Sequence, residues 1–486
     1  MTECKTNDKQ KQEQMTLDLE LGKEIEARFD GGLISSDGGL LLLRKADEKL
    51  ELLGLAVHCL TDWRRLDVVQ HPLLQLLRQR VYAIAAGFED CNDAKTLRFD
   101  PMHKLALGIC PSEGKGGASQ PTLSRFENSV DAVSLKALQE VLVHTYIRLH
   151  KKPPSVVKLR MDATDDEVHG YQQMSFWNGF YKSECYLPLF VFDDSGFPLA
   201  AILRPGNAAP GEAALRTLKP IVKALRLAWP QVRIELTADA GFALPELYDF
   251  CEDNKMYYAI GIKPNHAFEP HAQEIIRLCM GEFVEFGGEP YPLRHNRMSE
   301  QDKYRVWRQH EERKRFASKK EGRMQEHFEQ DITVCKYETF NYKARSWQKE
   351  RAVVMRCQYG QDGPDLRYVV TNFRGRTPRR LYQDIYCQRA RCENWIKELK
   401  VQLKCDRTSC QEFLPNQFRL LLHTFAHVLL WKVRKDSGQE HCEIRTVMLN
   451  FIKVGVLVKE TARKVWLHLN SYHPAREWFT KAWLCT

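Results

Sequence analysis

The sequence predicts an α/β fold on a mixed sheet, in the order β-β-β-α-β-α-β-α. A mainly α-helical region precedes the sheet, and a partly β segment interrupts it. Three observations predict this. Apolar residues recur at helical spacing up to Lys151-Lys152-Pro153-Pro154-Ser155 and then alternate. Val156–Met161 and Val232–Ala238 are alternating runs, each followed by an aspartate. Amphipathic stretches at Glu212–Ala228 and Pro245–Asn254 fall between strand-like runs, as helices that cover a sheet must.

Composition sets the limits. The 486 residues are 43% hydrophobic, enough to bury real cores and to exclude a disordered or collagen-like chain. Length alone suggests two to four domains at roughly 100–200 residues each. With 72 Lys+Arg against 63 Asp+Glu, the net charge of +9 suits a polyanionic partner without establishing one. The most apolar run, Leu420–Trp431, is short for a membrane span and holds His423 and His427. The polar N-terminus lacks the apolar core of a signal peptide, so a soluble intracellular protein is expected. Its 15 cysteines are odd in number and scattered, and most read as reduced core residues.

Residues 1–20 read as disordered until docked. From Leu33 to Ile109 the pattern is helical, and Val68–Phe88 carries a core-facing stripe of Leu73, Leu76, Leu77, Val81 and Ile84. After the loop 108–117, Ser119 suits an N-cap and Pro121 a first turn. That helix presents Thr122, Ser124, Arg125 and Asn128. It is either a recognition helix entering a DNA groove or an ordinary capped surface helix. Residues 130–150 form another helix.

Beyond the boundary come strands at Val156–Met161, Cys185–Phe192 and Phe197–Leu203, the last two joined through the turn Asp193-Asp194-Ser195-Gly196. A helix, the strand Val232–Ala238, a second helix and the strand Tyr257–Ile262 follow. This order is that of an RNase H-like core. Between Arg294 and Arg323 stand eleven Lys/Arg and five acids, with Tyr304, Trp307 and Phe316 interleaved. Arg313, Lys314 and Arg315 are candidates there for a nucleic-acid backbone, against the alternative of a solvated surface. Val353–Cys357 and Arg367–Asn372 read as strands, Arg379–Lys404 as a long helix, and Asn416–Trp431 as a helix apolar nearly all round and so buried. The expected divisions are 1–20, 21–150 for DNA binding or dimerisation, 151–264 and 375–435 for the two halves of the core, 265–374 for a basic β-rich insertion, and 436–486.

Three acids stand out. Alternation places Asp162 opposite Val157, Leu159 and Met161, and Asp239 opposite Val232, Ile234, Leu236 and Ala238. The carboxyl ends of strands are where α/β folds build sites. On the long helix, Tyr386, Arg389, Glu393 and Lys400 share a stripe roughly 60° wide at about 100° per residue. Such a stripe holds a carboxylate for a metal between cations for a phosphate, or it is a salt-bridged surface.

The spacing Tyr-x2-Arg-x3-Glu-x6-Lys at Tyr386, Arg389, Glu393 and Lys400 resembles the YREK signature of IS4-superfamily insertion-sequence transposases. Met161-Asp-Ala-Thr-Asp-Asp166, Ala238-Asp-Ala-Gly-Phe242, Arg391–Lys400 and Gln417–His423 look closer to the IS1380 family. The resemblance runs from about Phe29 to Pro474. It implies an RNase H-like fold and a DDE triad of Asp162, Asp239 and Glu393, with Asp165 or Asp166 as the fallback first acid. It also implies a β-rich insertion before the last acid.

The expected chemistry is two-metal phosphodiester cleavage and strand transfer on Mg²⁺ or Mn²⁺ held by those three carboxylates. Tyr386, Arg389 and Lys400 would grip the DNA end, with no covalent protein–DNA intermediate. Trp395, Trp307 and Trp347 are either stacking or packing residues. The expected partners are double-stranded DNA, as terminal inverted repeats and target, and a second copy of the chain in a dimer or larger assembly. The expected place is the prokaryotic cytoplasm, at the nucleoid, with no membrane. A metal-dependent nuclease and a non-catalytic DNA-binding relative are the alternatives. Cys405, Cys410, His423 and His427 match a C2H2 zinc spacing. Structural zinc is not expected there, because the segment directly follows the catalytic stripe and reads as core.

Overall fold

The computed structural model describes residues 15–17, 23, 25–209, 211–286 and 332–485. Within the segment expected to lack structure, β1 (Met15–Leu17) pairs antiparallel with β2 (Ile25–Ala27). Residues 33–35, read as helical, instead form β3 (Leu33–Ser35). The helices α1 (Leu40–Leu50), α2 (Leu52–Val57), α3 (Leu73–Ala85), α4 (Ala94–Leu97), α5 (Pro101–Ala106), α6 (Gln120–Asn128) and α7 (Ala132–Leu149) follow. The helix read over 68–88 is α3, which starts after Pro72 and buries Leu76, Leu77, Val81 and Ile84. Leu73, also on the expected stripe, is only half-buried.

The strand expected over 185–192 is two strands. Pro188 has no N–H for a ladder, and the chain changes sheets there. β5 (Asp166–Glu167), β6 (Phe176–Asn178) and β7 (Ser183–Tyr186) make a small antiparallel sheet. β4 (Val156–Ala163), β8 (Leu189–Phe192), β9 (Pro198–Ile202), β10 (Arg233–Ala238) and β11 (Tyr257–Ile262) belong to the main sheet. There β4, β10 and β11 are parallel, β8 runs antiparallel to β4, and β9 runs antiparallel to β8. Helices α8 (Ala214–Ala228) and α9 (Pro245–Asp253) connect β9 to β10 and β10 to β11.

After α10 (Glu269–Glu285) come β12 (Val334–Tyr342), β13 (Arg351–Gly360) and β14 (Gly363–Thr371). β14 pairs antiparallel with β11, giving one eight-stranded sheet in the order β12-β13-β14-β11-β10-β4-β8-β9. The strands of the expected insertion therefore extend the sheet that carries Asp162 and Asp239.

The helix expected over 379–404 is α11, spanning 378–402; it is α-helical at Pro378–Arg380 and Ala390–Lys397, with a π turn and the 3₁₀ turn Cys387–Arg389 between them and a π turn at its end. The expected apolar helix is α12 (Phe413–Ser437), buried over almost its whole length. A helix apolar all round needs cover on every side. The 40–149 helices supply one side and the sheet another, in one continuous core that includes Leu43, Leu77, Leu142, Phe192 and Leu429. After α13, spanning 444–452, β15 (Val456–Glu460) pairs with both β16 (Val465–Leu469) and β3, tying the two ends of the chain together. The last helix is α14 (Arg476–Leu484). No helix of the described residues is long and apolar enough to cross a membrane. None of the described cysteines forms a disulfide.

Candidate active site

Asp162 lies near the carboxyl end of β4, 7% exposed, with Oδ1 accepting from the Ala163 N–H at 2.9 Å. Asp239 follows β10 and caps a short 3₁₀ turn, accepting from the Gly241 N–H at 2.9 Å. Because β4 and β10 are parallel neighbours in register, with Met161 beside Ala238, their next residues lie at the same edge. Glu393 comes to that edge on α11, which packs on β4 through buried Cys392.

Arg389 bridges two of the three acids. Its Nη1 stands 3.4 Å from Asp162 Oδ2, and its Nη2 stands 3.5 Å from Glu393 Oε1. Burial alone would lower the Arg389 pKa, but the charges of Asp162, Tyr386, Asp239 and Glu393 raise it. Burial pushes the Asp162 carboxyl up to about 6; Asp239 and Glu393 add to this, while Arg389 opposes it. The sequence-selected acids thus act on one another and on one guanidinium.

Tyr386 fixes α11 against the sheet. A Cβ on Gly261 would stand 2.6 Å from the Tyr386 hydroxyl and 2.9 Å from the Ala240 nitrogen, so only glycine lets the helix approach β11 this closely. Lys400 donates to the Asp165 backbone oxygen, to Thr164 Oγ1 at 3.2 Å and to Asp165 Oδ1 at 3.3 Å.

A profile of the family described as Transposase DDE domain group 1 matches residues 17–484. The chain belongs to this family of DDE transposase domains. No curated protein matches it. Among solved structures it is similar to a piggyBac transposase synaptic complex with hairpin DNA, at 10% sequence identity and a TM-score of 0.39, over 85% of this chain and 79% of that one.

The other acids of this DDE transposase domain differ sharply. Asp166 is fully buried, and neither carboxylate oxygen has a hydrogen-bond partner among the described residues. Burial holds its pKa well above the usual carboxylate range. Glu398, five residues beyond Glu393, was missed by the sequence reading. It is buried and accepts from Arg434 at 2.9 Å and the Ile444 N–H at 3.1 Å, with His427 Nε2 at 3.2 Å. Its pKa is lowered: burial pushes up, but the His427 and Arg434 contacts outweigh it. Tyr181, on the β6–β7 turn, was also missed; burial raises its hydroxyl pKa, and the charges of Asp165, Asp162 and Asp239 raise it further. No short-range pattern marks either residue.

The remaining candidates lie apart. Arg125 is exposed on α6, whose Leu123, Phe126 and Glu127 face inward. Trp395 packs under the Asp193–Gly196 turn, 5.4 Å from the Phe192 ring. Trp347 is buried against Tyr248. Arg313, Lys314, Arg315 and Trp307 lie outside the described residues. Of the Cys/His set, His427 engages Glu398, and His423 is buried on the same helix. Among the described residues, no three His, Cys, Asp or Glu side chains form a ready-made cation cage. At the acid edge, it is the Arg389 guanidinium that lies beside both Asp162 and Glu393.

Proposed function

We propose that this DDE transposase domain cleaves DNA at the ends of an insertion sequence and joins the freed 3′-OH to target DNA. The observation that carries this reading is that Asp162 and Asp239 end neighbouring parallel strands at one sheet edge, where Arg389 bridges Asp162 and Glu393. We read the β9-β8-β4-β10-β11 half of the sheet as an RNase H-like core, with 265–374 as an elaboration before the glutamate helix. The motif spacings support an IS1380-like member of the IS4 superfamily, acting in a prokaryotic cytoplasm as a dimer or larger assembly.

The donor set fits hard divalent cations. It is made of carboxylate oxygens, and burial and mutual repulsion leave Asp162 short of positive charge. Asp162, Asp239 and Glu393 would hold two Mg²⁺ or Mn²⁺ ions. When bound, these supply charge stabilisation at the reacting phosphate and a lowered pKa for the attacking hydroxyl. The chain's own groups do the rest. Arg389 is partly buried and always charged, so it suits a phosphate oxygen as well as a carboxylate. Lys400 holds the Thr164–Asp165 turn and presents its ammonium beside the same edge. Tyr386 positions the helix and is not a nucleophile.

The test is an assay of cleavage and joining on DNA carrying the element's own ends, with Mg²⁺, comparing wild type with Asp239→Ala and Glu393→Ala. Joined products from wild type alone are expected. Products that are nicked but never joined favour a nuclease. Undiminished activity in either variant removes the assignment.

A further inference from the structure

At the opposite end of the parallel strands lies a basic cavity of about 650 Å³ that the acid site does not use. Arg233, Arg374, Arg376 and Arg380 line it, with Tyr257 and Asn372. Arg233 is paired with Glu235 at 2.8 Å. Arg374, Arg376 and Arg380 are exposed and form no ion pair with a described residue. Acids stand at the two adjoining cavities: Asp384 at the one that shares Arg376, and Glu252 and Glu350 at the one that shares Arg374. So three fixed cations, unpaired among the described residues, converge on one concave surface.

The surface is built rather than loose. The Asn372 side chain accepts from the Tyr258 N–H at 2.9 Å and donates to the Met256 carbonyl at 2.8 Å, anchoring the loop that carries Arg374 and Arg376 to the start of β11. Phe373 is buried against Tyr257, whose ring lies 4.1 Å from the Arg233 guanidinium carbon. Arg233 opens the six-residue β10 and Asp239 directly follows it, so the two are roughly 20 Å apart at about 3.3 Å per residue. That distance is about six base pairs at roughly 3.4 Å each.

We propose that Arg374, Arg376 and Arg380, with Arg233, hold the phosphodiester backbone of duplex DNA roughly 20 Å from the phosphate at Asp162, Asp239 and Glu393. This rests on the reading above in taking duplex DNA as the partner and the acid edge as the place where it is cleaved. Planar guanidinium forks match phosphate oxygens in pairs, and a clustered set neutralises a run of backbone.

The test is the salt dependence of duplex binding by the full chain. Wild type is compared with the triple variant Arg374→Gln/Arg376→Gln/Arg380→Gln and with Arg463→Gln, an exposed arginine on a distant turn. The slope of log K against log salt should fall by about 0.9 for each phosphate released, about 1–3 in total, in the triple variant and not in Arg463→Gln. Neutral methylphosphonates placed along the duplex should reproduce the loss in wild type at about six base pairs from the cleaved bond and add nothing in the triple variant. An unchanged slope overturns the proposal while leaving the catalytic reading intact. Wild type that binds no duplex overturns both. Calorimetric binding of inorganic phosphate, lost in the triple variant whose duplex slope is unchanged, identifies a free-anion site and also overturns it.

Discussion

Arg389 stands 3.4 Å from Asp162 across 227 residues of chain. This pair ties the helix bearing Glu393 to the strand bearing the first acid. It also opposes the burial that pushes the Asp162 pKa up to about 6.

Asp162→Asn should abolish cleavage and yet stabilise the metal-free fold at pH 7. A carboxyl raised from 3.8 to about 6 on folding binds its proton more tightly in the native state. Its contribution therefore opposes folding above about pH 6 and disappears below about pH 4. Two pKa units correspond to about 3 kcal/mol, so a gain of about 1–3 kcal/mol is expected. Chemical denaturation in EDTA at pH 7 and pH 4 checks this. A gain of equal size at both values, or a loss at pH 7, contradicts it.

Two glutamates on one helix should separate function from stability. Glu393→Gln, at an exposed side chain, should change stability by less than about 0.5 kcal/mol while eliminating cleavage. Glu398→Ala should cost about 3–5 kcal/mol, because it leaves Arg434 buried without its carboxylate. Urea unfolding of both variants beside a cleavage assay decides the matter; equal destabilisation would count against the assignment.

Gly261→Ala should impair cleavage without unfolding the chain. Its Cβ meets the Tyr386 hydroxyl at 2.6 Å and backbone at Ala240, so both the helix and the Asp239 turn must shift. Overpacking of this kind costs about 1–3 kcal/mol. Adding Tyr386→Phe removes one clash and not the other, so stability should recover in part. Full recovery in thermal unfolding would show that the Ala240 backbone is not a constraint.

Asp166→Asn should be tolerated where Asp162→Asn is not. Asp166 is buried with its pKa held well above the usual range, so a neutral amide of the same shape replaces a group already favoured as neutral. Near-wild-type cleavage is expected. Loss of cleavage with retained folding would return Asp166 to the triad.

The sequence by itself determined the strands that start at Val156, Arg233 and Tyr257, the two strand-end aspartates and the helical stripe at 386–400. Each is a short-range pattern: alternation or helical period assigns a face, and a face exposes or buries a side chain wherever the strand or helix lies. The tertiary structure decided what covers those faces. Period sets Glu393 and Glu398 about 140° apart on the helix but does not say what each face meets; Arg389 receives one, and Arg434 with His427 receives the other. Nor does composition reveal that β14 joins β11 or that β3 pairs with β15, because ladder partners are chosen by hydrogen bonding across long stretches of chain. The break at Pro188 was written in the sequence, but it took its meaning from the two sheets on either side of it. Local chemistry thus named the acids, and long-range packing selected which of them meet.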